Sequence, residues 1–112
     1  MSKKLFKNYE YEFDKNEQKV LASFCKQAIK QMNGDERFFR DIKTFDSIIN
    51  KLESQNEKVK FTKEEKTKLV FQLKENAKYL NKEMKKSWFI KKWFYRNMYN
   101  QYNNILTKHF SD

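Results

Sequence analysis

His109 and Cys25 are each the only residue of their kind in this 112-residue chain, and any catalytic reading has to begin with them. Histidine changes charge near neutral pH, and cysteine becomes a strong nucleophile once ionised. His109 lies next to Ser111 and Asp112 in sequence, but a catalytic triad needs members oriented by a fold, not neighbours on a tail. It reads as a histidine at a helix end. Cys25 follows Phe24 on an apolar face and reads as a buried packing residue. The carboxylate pairs Asp35-Glu36 and Glu64-Glu65 fall at expected helix starts, where the helix dipole favours negative charge. Capping accounts for them without acid–base chemistry. A tetrahedral zinc site wants several Cys or His ligands, and this chain has two such residues in all. A single glycine cannot build a glycine-rich phosphate loop. The expectation is a non-enzyme with no catalytic residue, no metal site and no cofactor.

Binding chemistry is better represented. Between Lys82 and Arg96 stand Lys82, Lys85, Lys86, Lys91, Lys92 and Arg96 against one acid, Glu83. Trp88, Phe89, Trp93, Phe94 and Tyr95 are interleaved with them. Cations that neutralise phosphates, next to rings that stack on bases, are the composition of a nucleic-acid surface. Trp, Tyr and Arg also dominate protein–protein hot spots. A basic, aromatic amphipathic segment can rest on an anionic membrane face as well. Most of these rings have a plainer use as core filling. Phe89 and Trp93 fit that use less well, because they share the side of a helix that carries Asn97, Asn100 and Asn104. The candidate surface is therefore Phe89 and Trp93, framed by Lys85, Lys86, Lys92 and Arg96. A lysine row through Lys74, Lys78 and Lys82 extends it; solubility is the plainer use of that row.

Four helices must position these groups. Asp14 with Glu17 has capping-box spacing. Val20, Leu21, Phe24, Cys25, Ala28, Ile29 and Met32 then follow on one helical face. Asn33-Gly34 closes that helix, and Asp35 caps the next, whose stripe runs Phe38, Phe39, Ile42, Phe45, Ile48, Ile49 and Leu52. Ser54-Gln55-Asn56 reads as a loop. Thr62 and Glu65 form a second capping box, before a stripe of Leu69, Val70, Leu73, Ala77, Leu80 and Met84. The last segment carries a broad apolar face: Phe94, Met98, Tyr102 and Ile105 on one edge, Tyr95, Tyr99, Leu106 and Phe110 on the other. A bend near Lys86-Ser87 is expected between the last two helices, since no heptad seam runs through them. With one glycine and no proline, multi-stranded sheets lack their usual turns. The predicted fold is all-α: a small antiparallel bundle of four helices near 14–33, 35–54, 62–85 and 87–109. It forms one domain over 1–112, with 1–12 an N-terminal arm docked through Phe6, Tyr9, Tyr11 or Phe13.

The net charge of +10 is unevenly spread. Residues 1–56 hold 11 basic and 9 acidic side chains, while residues 57–112 hold 14 and 6. A one-sided positive field draws polyanions and anionic surfaces. The longest uncharged run, Asn97 to Thr107, is too short and too polar to span a bilayer. No secretory signal opens the chain, and the lone cysteine fits a reducing compartment, so a soluble cytoplasmic protein is expected.

In size, charge and helix count the chain resembles the immunity proteins for class II bacteriocins. Those are small, basic, cytosolic antiparallel four-helix bundles that protect the producing cell's own membrane receptor. The resemblance implies a protein-binding inhibitor at the cytosolic membrane face. It includes no diagnostic motif, so no functional residue is carried over. The lysine- and asparagine-rich style also resembles small accessory proteins of phages and mobile elements. The first expectation is a regulator or inhibitor acting on nucleic acid or on a protein that handles it; the second is an inhibitor of an acidic protein partner. Homodimerisation through the aromatic segment and docking on an anionic membrane surface complete the expected partners.

Overall fold

The computed structural model describes residues 9–54 and 56–111. Its elements, in chain order, are β1 (Tyr9–Tyr11), α1 (Lys15–Met32), a 3-10 turn (Glu36–Phe38), α2 (Phe39–Leu52), β2 (Val59–Phe61), α3 (Lys63–Lys86) and α4 (Phe89–His109). The fold is all-α with four helices, close to the segments expected from sequence, plus one small two-stranded sheet. The described residues form two compact units, divided between Leu69 and Val70. No helix among the described residues is long and apolar enough to cross a membrane.

In the first unit both capping boxes form as their spacing predicts. Asp14 Oδ1 accepts from the Glu17 N–H at 2.7 Å, and Glu17 Oε1 accepts from the Asp14 N–H at 3.0 Å. Each bond satisfies a donor that the first helical turn leaves without a partner. Gly34, two residues after α1, sits at φ +91°, in the left-handed region that glycine occupies without strain. Asp35 then caps the 3-10 turn through the Arg37 N–H at 3.0 Å and pairs with the Arg37 guanidinium at 2.7 Å. That guanidinium holds the exposed Asp35 carboxyl below its ordinary pKa. The turn delays α2 until Phe39 and puts Phe39 on the outside, 64% exposed, where Lys43 lies over its ring. The expected stripe is otherwise kept, with Phe45, Ile48, Ile49 and Leu52 buried. α1 packs on α2, and Lys26 bridges to Glu53 at 2.7 Å.

The sheet is the part not expected. β1 pairs antiparallel with β2 in the register Tyr9–Phe61, Glu10–Lys60 and Tyr11–Val59. Val59 and Phe61 point inward and Lys60 outward. The N-terminal arm is therefore a strand over residues 9–11, followed by the buried ring of Phe13. The remainder of that expectation, residues 1–8 with Phe6, lies outside the described residues.

Glu65 joins α2 to α3. Its Oε1 accepts from the Thr62 N–H at 2.8 Å and from Lys51 Nζ at 2.6 Å, and its Oε2 accepts from the Ser47 hydroxyl at 2.6 Å. Burial raises its pKa, but the bonds from Lys51, Ser47 and Thr62, together with the Lys51 charge, carry the net shift below the ordinary carboxylate value. A carboxylate lowered on folding stabilises the fold above its unfolded pKa, and that gain is lost as pH falls through the folded pKa. Glu65→Ala is expected to cost about 2–3 kcal/mol at neutral pH, from the lost cap and the stranded partners. Urea unfolding at two pH values checks this: the gap to wild type should narrow below about pH 4. A gap of equal size at both would mean that the charge of Glu65 contributes nothing.

In the second unit, Leu73, Ala77 and Leu80 of α3 and Tyr102 and Ile105 of α4 are buried. The expected bend is present. The Ser87 hydroxyl donates to the Glu83 carbonyl at 2.7 Å, at the last turn of α3. Trp88 then turns extended at ψ 159°, and its carbonyl accepts the first helical bond of α4, from the Lys92 N–H at 2.7 Å.

Candidate functional site

The catalytic candidates are placed as follows. Cys25 is fully buried, and burial pushes its thiol up to about 12, so the thiolate that a nucleophile needs does not form near neutral pH. His109 is half-buried in the last turn of α4, its ring 6.4 Å from that of Phe110. Glu64 and Glu65 open α3, where both make ion pairs. Among the described residues no three His, Cys, Asp or Glu side chains gather into a group that could hold a metal ion.

The large exposed apolar side chains concentrate in one short stretch: Trp88, Phe89, Ile90, Trp93 and Phe94. The cause lies in the bend and in helical phase. Tyr102 and Ile105 mark the buried arc of α4. At about 100° per residue, Phe89 and Trp93 fall roughly opposite that arc. They are 74% and 65% exposed. With Ile90, Lys92 and Arg96 they line an open groove of about 450 Å³. Two rings one turn apart thus share a wall with two cations.

The other candidate cations take different places. Lys85 and Lys86 are exposed at the end of α3, four and three residues before Phe89, and Lys86 has a long ion pair to Glu83 at 3.9 Å. Lys74, Lys78 and Lys82 are exposed on α3, and Lys78 approaches Glu75 at 3.7 Å. At about 100° per residue, Lys74, Lys78, Lys82 and Lys85 occupy an arc of roughly 80°, with the exposed ring of Phe71 among them. Exposed pairs of this kind are worth little and leave the lysines available to an outside anion.

The electrostatics are one-sided. No acidic residue occurs from Lys85 to Ser111. The first turn of α4 has no acid and no side-chain cap, and Lys91 and Lys92 stand beside its exposed N–H groups. Cations there oppose the helix dipole, an arrangement that an approaching anion relieves.

Three residues of this patch lay outside the sequence-based candidates. Phe94, expected in the apolar core face, is 54% exposed. Its stripe continues to the buried Tyr102 and Ile105, but the first two turns of α4 are not covered as the later ones are. Trp88 precedes the helix and so belongs to no periodic face. Ile90 stands about 100° from Phe89 and joins the groove from its edge. Comparison with known protein families, characterised proteins and solved structures finds no match for this chain.

Proposed function

We propose that this chain is a non-catalytic binding protein that holds single-stranded nucleic acid on the outer face of α4, and that it acts in the cytoplasm as a small regulator or inhibitor by occupying strands. The observation that carries this reading is the pair Phe89 and Trp93, exposed one turn apart in a groove that also contains Lys92 and Arg96. Exposed rings are stacking platforms for unpaired bases, and adjacent cations neutralise the phosphates that follow. A double strand hides its base faces, so rings placed this way favour unpaired strands.

The chain's only two tryptophans, Trp88 and Trp93, both stand in this patch, so intrinsic fluorescence reads the site directly. Titration with single-stranded DNA and, separately, RNA at about 50 mM salt should quench it. No binding of either strand at that salt sinks the reading.

The lysine row on α3 gives a second expected result. On single strands log K falls with log salt at a slope of roughly −0.7 per phosphate neutralised. Replacing Lys74, Lys78 and Lys82 together by glutamine should flatten that slope by about 2. An unchanged slope would remove the row from the site.

Ile90 and Phe94 favour one further reading. Their side chains, 70% and 54% exposed, suit an apolar pocket on an acidic protein better than a base. Binding to such a partner would depend on Trp93 and survive moderate salt, whereas strand binding falls steeply as salt rises. A blue-shifted tryptophan spectrum with anionic vesicles, without quenching by strands, would assign the patch to a membrane surface.

A further inference from the structure

The outer face of α3 carries exposed rings of its own. Phe71 and Tyr79 are 58% and 56% exposed. At about 100° per residue, Phe71 stands roughly opposite the buried Leu73, Ala77 and Leu80, and Tyr79 about 80° round from it. Lys82 and Lys86 fall between the two rings in phase, and Lys74 and Lys78 lie on the far side of Phe71. All four lysines are exposed. One acid, Glu75, interrupts this face, 3.7 Å from Lys78. Among the described residues neither ring stacks on another, and the Tyr79 hydroxyl bonds to no protein group. Rings set among lysines thus repeat, on α3, the chemistry of the groove on α4.

Phe71, Tyr79, Phe89 and Trp93 all belong to the unit that begins at Val70, and the chain itself limits the gap between the two ring pairs. Phe71 and Tyr79 lie about 12 Å apart along α3 at 1.5 Å per residue. From Tyr79, the rest of α3 and the link through Ser87 and Trp88 allow at most about 22 Å to Phe89. Trp93 lies roughly 6 Å further along α4. About twelve stacked nucleotides, at 3.4 Å each, reach from the first ring to the last. On the reading that α4 holds a single strand, we infer that the strand continues onto α3, where Phe71 and Tyr79 form a second stacking platform. The site then takes unpaired strands of about a dozen nucleotides in preference to short ones. Phe89 and Trp93 hold one end and Phe71 and Tyr79 the other, while Lys82, Lys85 and Lys86 hold phosphates between them. A strand that joins the platforms makes its second contact intramolecular, so it gains affinity beyond either contact alone.

The test compares oligothymidylates of five and fifteen nucleotides at about 50 mM salt, for wild type and for Phe71→Ala combined with Tyr79→Ala. Tryptophan quenching reads the α4 platform alone, since Trp88 and Trp93 both stand there. Both substituted rings are exposed, and alanine is the better helix former, so the variant keeps its fold. Comparing the two proteins at one length cancels the extra registers that a longer strand offers. The variant should bind the fifteen-mer about 30-fold more weakly, from two lost stacking contacts, and the five-mer as tightly as wild type does. A loss under about three-fold on the fifteen-mer overturns the second platform and leaves strand binding on α4 intact. An equal loss at both lengths overturns it as well, since the rings would then act without a strand joining the platforms. A five-mer too weak to quench leaves the fifteen-mer comparison to decide. No quenching by either strand removes both this inference and the reading beneath it.

Discussion

Replacing Phe89 and Trp93 together by alanine should lower affinity for a single strand about 100-fold, at roughly 1–3 kcal/mol of lost stacking per base. The unfolding midpoint should barely move. Both rings are mostly in water already, so the folded state loses little buried area with them. Trp88 remains as the fluorophore, and the variant is read by the same titration as wild type. Truncating one lysine, by contrast, should weaken binding only a few-fold, since Lys85, Lys86, Lys91, Lys92 and Arg96 share the field. The contrast between rings and charges separates stacking from mere attraction. If the double variant binds within about three-fold of wild type, bases do not stack on this face, and the charges alone would account for the binding.

What made this surface legible in the sequence was phase. Phe89 and Trp93 stand four residues apart, on the side opposite the stripe that ends in Tyr102 and Ile105, and helical periodicity alone separates the two sides. The capping boxes were legible for a similar reason: Asp14 with Glu17, and Thr62 with Glu65, satisfy backbone donors locally and need no tertiary partner. Phe94 shows where such reasoning stops. Periodicity says which residues share a face but not how far along the helix that face is covered, so a ring in phase with the core was counted as core. Trp88, counted among the interleaved rings, was left out of the candidate surface for another reason. It lies in the extended link between α3 and α4, where no period applies. Phe39 was misplaced because a 3-10 turn precedes it and shifts the helical phase. The strand pair escaped entirely, since two three-residue strands separated by some 50 positions give no alternation long enough to detect.

That strand pair holds the largest expected effect on stability. Phe61 is fully buried in β2, its ring 5.7 Å from that of Tyr11 and 6.1 Å from that of Phe13. Tyr11 and Phe13 stack on each other at 5.5 Å. A lone two-stranded ribbon is marginal in water, so β1 stays paired with β2 because its side chains are buried, not because of three residues of backbone bonding. Phe61→Ala should therefore cost about 3–5 kcal/mol, the transfer of the ring plus the cavity it leaves. For a chain of this length, whose whole stability is on the order of 6–17 kcal/mol, that is a large share. Glu10 and Lys60, paired across the same strands but exposed, should each cost under about 0.5 kcal/mol when truncated. Urea denaturation measures all three, and an alanine cost at Phe61 below about 1.5 kcal/mol would show the site collapsing around the gap. Phe61→Leu then separates volume from ring geometry. Leucine refills most of the space, so a loss near 1 kcal/mol assigns the effect to packing volume. A loss close to that of alanine assigns it to the aromatic contacts with Tyr11 and Phe13, which edge and offset geometry favours beyond buried area alone.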